Sequence, residues 1–106
     1  MMKFRSNQCV AIHVPNLAKA EQFYSGVLGF KLKSKTRTYL EFSTGTFSLF
    51  INKSKKTQAP IPSFTVLDAR AAKAYLKKSG CQITKNFGRA FYFQDPFGLT
   101  YDVIGR

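Results

Sequence analysis

The 106-residue chain has few acidic residues, a single histidine, two cysteines and no tryptophan. Its 5 Asp and Glu residues against 17 Lys and Arg residues give a net charge of +12, which indicates anionic small molecules, acidic partners or simply a basic surface. The single histidine, His13, excludes a multi-histidine metal site within one chain. Cys9 and Cys81 form neither a disulfide framework nor a CxxC pair, so we expect reduced thiols and a cytoplasmic location.

Long apolar runs and familiar cofactor motifs are also missing from the sequence. No run of about 18 apolar residues exists, so we expect no membrane-spanning helix. The first residues are not followed by an apolar segment of the length that a signal peptide needs. The GxGxxG, P-loop and HExxH motifs do not occur, so no standard nucleotide or zinc-hydrolase signature guides the assignment.

The sequence predicts two similar halves within one domain. Hydrophobic residues make up 44% of the chain, which excludes a disordered tail and favours one domain over residues 1–106. Two modules, approximately 8–54 and 61–106, each predict the order βαβββ, whose single helix covers one sheet face and leaves the other open. Two open faces placed together would form a cleft. The lysine-rich stretch at 53–56 (KSKK) and the segment at 60–62 (PIP) predict a solvated linker between the modules.

Hydrophobic periodicity gives the expected bounds of the elements. In the first module the pattern predicts a helix capped by Asn16, and its elements are a strand at 9–14, the helix at 17–25, and strands at 30–35, 37–43 and 46–52. In the second module Asp68 is the expected cap, and the elements are a strand at 61–67, the helix at 69–78, and strands at 81–85, 90–94 and 99–104.

Strand alternation predicts which side chains face away from the helices and line the cleft. The helix-facing set comprises Val10, Ile12, Val14, Phe64, Val66, Tyr101 and Val103. The cleft-facing set is mostly apolar and comprises Cys9, Ala11, His13, Phe47, Leu49, Ile51, Ser63, Thr65, Leu67, Thr100, Asp102 and Ile104. Such a lining suits a small organic ligand with a ring or acyl body, although the chain's own side chains or a dimer partner could equally fill the space.

Three stretches carry a resemblance to a known family. They are the strand and cap at 11–17 (AIHVPNL), the helix end at 23–30 (FYSGVLGF) and the turn at 94–98 (QDPFG). Together they resemble the vicinal oxygen chelate superfamily, which includes glyoxalase I, bleomycin-resistance proteins and extradiol dioxygenases. The resemblance covers roughly residues 8 to 105. It implies an α+β fold of two βαβββ modules forming a curved mixed sheet with an open cleft, often assembled as a homodimer.

The same resemblance implies four positions for the ligands of a metal. Carried over to this chain, they are His13, Leu49, Thr65 and Asp102. Leu49 cannot bind a metal, Thr65 is at best a weak neutral ligand, and Asp102 stands where a glutamate is usual. A catalytic metal usually needs about three protein ligands, so we expect a degenerate site with no metal and no other cofactor.

The sequence therefore predicts a small-molecule-binding protein with an anionic ligand contacted by His13, Phe47, Leu49, Thr65 and Asp102, and it identifies no catalytic residue. For His13 a hydrogen-bonded structural role stays open, and for Phe47 core packing is the favoured alternative. A metal-dependent lyase or dioxygenase of the same superfamily is the second hypothesis. A basic nucleic-acid-binding protein is the third, and specific nucleic-acid recognition is not expected because basic composition alone is weak evidence.

Overall fold

Residues 2–105 are described by a computed structural model, and they fall into two compact units. The first unit comprises residues 8–60, and the second unit comprises residues 61–105 together with the segment before residue 8. Each unit contains mixed β-sheet and helix, which confirms the predicted α+β class. No helix within residues 2–105 has the length and apolarity needed to cross a membrane.

The first unit has the predicted strand–helix–three-strand order. Its elements are β1 (Arg5–Val14, of which residues 8–14 belong to this unit), α1 (Leu17–Glu21), a π-helical segment (Gln22–Val27), β2 (Lys31–Lys35), β3 (Tyr39–Ser43) and β4 (Ser48–Lys53). The strand order is β2-β3-β4-β1, with β1 and β4 parallel and the other pairs antiparallel. The Asn16 side chain accepts a hydrogen bond from the Lys19 N–H at 3.0 Å, which confirms the predicted cap.

The predicted helix at 17–25 is α-helical in its first half and π-helical in its second half. After Glu21 the helix widens, and the Leu28 N–H donates to the Phe23 carbonyl at 3.1 Å, five residues earlier. The wider segment lets the Tyr24 ring lie 6.3 Å from the Phe42 ring in the core. Packing therefore overrides the regular 3.6-residue period at this point.

The second unit repeats the order with a longer helix. Its elements are β5 (Gln58–Thr65, of which residues 61–65 belong to this unit), α2 (Ala69–Lys78), β6 (Gln82–Asn86), β7 (Ala90–Gln94) and β8 (Thr100–Ile104), in the strand order β5-β8-β7-β6. The Asp68 carboxylate accepts from the Ala71 N–H at 3.1 Å, so this cap is also confirmed. The prediction that residues 60–62 belong to a linker is wrong, because these residues lie in β5. Pairing of β5 with β8 begins at Ser63, beyond both prolines, which lack an N–H to donate.

Each helix covers a separate apolar cluster on one face of its sheet. In the first unit the buried cluster consists of Ile12, Ala20, Leu40, Phe42, Leu49 and Ile51. In the second unit it consists of Val66, Ala69, Ala72, Leu76, Phe91, Phe93 and Val103, with Met2, Phe4 and Tyr101 packed against it. The helix-facing placement of Ile12, Val66 and Val103 is therefore confirmed.

The predicted faces of Leu49 and Ile51 are wrong. Both side chains lie in the core beneath α1, where Leu49 is 7% exposed and Ile51 is fully buried. In the parallel pairing Val10 lies beside Leu49 and Ile12 beside Ile51, so these four residues share the helix-facing side. Because side chains alternate along a strand, an error of one residue in β4 moves the whole set to the opposite face.

Candidate functional site

The strand pairings of the two units match position by position. In the first unit Leu40 pairs with Ile51, and in the second Phe91 pairs with Val103. Bulges occur at the same place, between Leu32 and Ser34 in β2 and between Ile83 and Lys85 in β6. Counting back one residue from the buried Ile51 and Val103 makes Phe50 the counterpart of Asp102.

The matched positions on the face away from the helix differ sharply in chemistry. In the first unit Ala11 pairs with Phe50, and Glu41 lies beside Phe50 on the next strand. In the second unit Ser63 pairs with Asp102, and Tyr92 lies beside Asp102. We call Asn7, Ser63, Tyr92 and Asp102 the polar cluster. The first unit has an apolar pair where the second unit places a hydroxyl and a carboxylate.

A directed chain of hydrogen bonds holds the carboxylate of the polar cluster in place. The Asn7 Nδ2 donates to Ser63 Oγ at 2.8 Å, and Ser63 Oγ donates to Asp102 Oδ2 at 2.9 Å. Ser63 is only 5% exposed. An amide nitrogen can only donate, so the Ser63 oxygen accepts from Asn7 and its single proton is directed to the carboxylate.

Burial perturbs two ionisable groups in this cluster. Desolvation raises the pKa of Asp102 above its ordinary value, and the hydrogen bonds from the Ser63 hydroxyl and the Val103 backbone oppose that rise. Burial also raises the pKa of Tyr92, and the nearby negative charge of Asp102 adds to the effect. The Asp102 carboxylate is therefore a partly desolvated hydrogen-bond acceptor. It lies beside the Tyr92 phenol, which keeps its proton at neutral pH.

A cavity of about 520 Å³ opens in the second unit beside β5. Its lining residues are Met2, Lys3, Arg5, Thr65, Val66, Leu67 and Asp68. Thr65 follows Ser63 by two residues in the same strand, so both side chains lie on one side of β5 and roughly 7 Å apart. The cavity and the polar cluster are thus neighbouring features of one strand.

The five predicted ligand contacts are divided between the two units. Thr65 lines the cavity and Asp102 lies in the polar cluster, both in the second unit. His13 lies in β1 of the first unit, half-buried and opposite Asn52. Phe47 lies just before β4, where its backbone bonds with Thr44 close the hairpin and its side chain is 38% exposed. Leu49 lies in the core, so we do not include it in a ligand site.

Several residues of this region were not among the predicted contacts. Ser63 was expected on the open face, but only the register of β5 with β8 places it beside Asp102. Asn7, Lys3 and Arg5 precede the expected start of the first strand at residue 9, whereas β1 begins at Arg5. Tyr92 was part of an expected strand, but only the register places it beside Asp102.

The residues at the implied metal positions do not fit a metal ion. Leu49 is a core residue, and its register-matched neighbour Phe50 has no donor atom either. Thr65 offers a neutral hydroxyl, which leaves too few charged donors in either unit for a stable divalent site. Within residues 2–105, no three His, Cys, Asp or Glu side chains come close enough to hold a metal.

One family model matches nearly the whole chain. The model of the Glyoxalase/Bleomycin resistance protein/Dioxygenase superfamily matches residues 6–103. A search of curated proteins found no match. A solved structure of homoprotocatechuate 2,3-dioxygenase from Brevibacterium fuscum, in complex with 3,4-dihydroxyphenylacetate, matches with a TM-score of 0.75 and 22% identity, covering 99% of this chain and 37% of that one.

A second solved structure extends the comparison to another activity. The Mn(II)-bound glyoxalase from Novosphingobium aromaticivorans matches with a TM-score of 0.72 and 14% identity, over 99% of this chain and 40% of that one. This chain therefore spans about two-fifths or less of the length of these proteins. At such identities the likeness concerns the fold.

Proposed function

Because this chain belongs to the Glyoxalase/Bleomycin resistance protein/Dioxygenase superfamily, we propose that it binds a small organic anion at the polar cluster, without a metal ion. In this proposal Asp102 accepts a hydrogen bond from a hydroxyl or amide group of the ligand. Ser63 and Asn7 hold the carboxylate in position, and Thr65 is a further contact. His13 and Phe47 stay predicted contacts of the first unit.

The partly buried chain of hydrogen bonds from Asn7 through Ser63 to Asp102 carries this proposal. A half-buried carboxylate is costly to desolvate, as the raised pKa of Asp102 indicates. The matched pair in the first unit, Ala11 and Phe50, supports the same strand register without any charge. The fold therefore does not require a carboxylate at this position, and ligand recognition explains why one is present.

The charge of the chain favours an anionic ligand. With 17 basic and 5 acidic residues, the protein creates a positive potential that raises the local concentration of small anions. In the second unit Lys3 and Arg5 place part of this charge close to Thr65. An anion that also carries a hydrogen-bond donor would satisfy both the cationic side chains and Asp102.

Thermal denaturation with a panel of small carboxylates and phosphate esters, each with and without EDTA, tests the proposal. A ligand at 100 times its Kd should add about 2.7 kcal/mol to the unfolding free energy, and EDTA should leave that gain unchanged. The Asp102→Asn variant should lose most of the gain. Glu41→Gln is the matched control, because this carboxylate lies beside Phe50 in the first unit and pairs with Lys33 at 3.3 Å.

Three outcomes would count against the proposal. Stabilisation that needs an added divalent metal and disappears with EDTA would favour the metal-dependent lyase or dioxygenase. Equal loss in Asp102→Asn and Glu41→Gln would show that the loss is not specific to the polar cluster. A panel without any stabilising anion would reject anion binding.

Homodimerisation and a cytoplasmic location stay predictions from the sequence.

A further inference from the structure

We propose that the cavity beside β5 is the binding site for an amphipathic anion, with Arg5 and Lys3 holding its carboxylate or phosphate group and the apolar wall holding its hydrocarbon body. This inference rests on the proposed function and deepens it, because it names the ligand class and the residues that select it. The polar cluster alone would accept any small hydrogen-bond donor.

The size and walls of the cavity suit such a ligand. Its volume of about 520 Å³ lies within the range of pockets that bind drug-sized molecules. Met2 and Leu67 supply an apolar surface, and Leu67 is 82% exposed. A hydrocarbon chain lying against Leu67 would remove that apolar surface from water, which is favourable in proportion to the area covered.

Charge at the cavity favours an anion. Lys3 and Arg5 are exposed, and neither forms an ion pair with any carboxylate within residues 2–105. Asp68 is the one acidic residue in the lining, and its carboxylate caps α2 through the Ala71 N–H. Two cations against one engaged carboxylate leave a net positive charge. Arg5 can also bind a carboxylate or phosphate through two parallel hydrogen bonds.

The Thr65 hydroxyl supplies a neutral polar contact between the two regions. Within the described part of the chain it forms no hydrogen bond, and it lies on the side of β5 that carries Ser63. A ligand held by Arg5 can therefore direct a polar substituent toward Thr65. Asp102 pairs with Ser63, which lies two residues before Thr65, so a longer substituent can reach toward Asp102. This arrangement selects anions that carry both an apolar chain and a hydroxyl or amide group.

Calorimetric titration with octanoate, octyl phosphate and uncharged octanamide tests the inference. We expect octanoate or octyl phosphate to bind at least about ten-fold more tightly than octanamide, and the relative affinity of the two anions distinguishes a carboxylate ligand from a phosphate ligand. The double variant Lys3→Gln, Arg5→Gln should weaken anion binding about ten-fold and leave octanamide unchanged. Leu67→Asn should weaken all three probes, since it removes apolar contact area.

The control is the double variant Arg70→Gln, Lys78→Gln, which removes the same charge from exposed positions on α2. Equal weakening in both double variants, or equal affinity for octanoate and octanamide, would overturn the inference. If other anions bind in a way that depends on Asp102 but not on Lys3 and Arg5, the proposed function stands and the cavity assignment fails. Failure of octanoate and octyl phosphate to bind would also reject the cavity assignment, whereas the broader panel tests the proposed function separately.

Discussion

The two units use the same framework and differ mainly on the face away from their helices. On the helix side, Leu40, Phe42 and Ile51 of the first unit correspond to Phe91, Phe93 and Val103 of the second, and all are buried. The opposite face changes from Ala11 and Phe50 to Ser63 and Asp102. Helix-side burial therefore fixes the strand register, while the other face is free to vary in chemistry.

The helices show a second difference between the units. Both begin at a side-chain cap, yet α1 covers five residues before a π-helical segment, whereas α2 continues regularly for ten. Lys77 and Lys78 in the last turn of α2 place positive charge at the negative end of the helix dipole, which stabilises the helix. In the second unit Gly105, which follows β8, approaches Ala69 at the start of α2 closely.

The largest expected effect comes from that close contact. A Cβ at Gly105 would overlap Ala69 of α2, lying 2.7 Å from its backbone nitrogen and 2.8 Å from its Cα. We expect Gly105→Ala to lower the unfolding free energy by about 2–3 kcal/mol, because backbone atoms must move to make room. Urea denaturation followed by circular dichroism measures the loss.

The comparison variant lies in the first unit. A Cβ at Gly26 meets nothing within 4 Å. Gly26→Ala should therefore be neutral or stabilise by up to about 1 kcal/mol, since alanine restricts the unfolded chain more than glycine does. Equal destabilisation by the two substitutions would show that the contact between α2 and residue 105 is not the cause.

Ser63→Ala should have the next largest effect, because it makes the second unit resemble the first at this position. The variant leaves the Asp102 carboxylate without its hydroxyl donor and removes an acceptor of the Asn7 amide. We expect a loss of about 1.5–3 kcal/mol of stability, the usual value of a hydrogen bond to a charged group.

The control for this loss is Ser48→Ala at the start of β4, a half-buried serine with no side-chain hydrogen bond among the described residues. It should change stability by less than about 0.5 kcal/mol. A double-mutant cycle with Asp102→Asn isolates the Ser63–Asp102 interaction. A coupling energy near zero would contradict the hydrogen-bond chain.

Periodicity and caps predict the framework well, because burial on one face leaves a clear signal in the sequence. The bounds of α2 and β7 follow from it directly, and so do both caps. The polar cluster lies beyond such reasoning, since it depends on the register between β5 and β8. The register also decides the position in β4, since Phe50 lies five positions after Gly45 whereas Asp102 lies four positions after Gly98. This difference of one residue makes Phe50, and not Leu49, the counterpart of Asp102.

The smallest expected effect is a pH dependence that belongs to the second unit. Burial raises the pKa of Asp102 in the folded protein, so the folded state keeps this proton at a pH where the unfolded state has lost it. Between the ordinary Asp pKa and the raised value, the Asp102 contribution to stability therefore falls as the pH rises. Asp102→Asn should remove this decline, and urea denaturation from about pH 3 to about pH 7 measures it.

Ser63→Ala sharpens the same test, because the Ser63 hydrogen bond lowers the pKa of Asp102 and its loss should extend the decline to higher pH. Asp102→Asn should also lower the pKa of Tyr92, whose rise is partly due to the negative charge of Asp102. The difference in phenolate absorbance between proteins with and without Tyr92→Phe follows that shift. A Tyr92 titration unchanged by Asp102→Asn would mean that the two side chains do not interact electrostatically, and the polar cluster would then reduce to Asn7, Ser63 and Asp102.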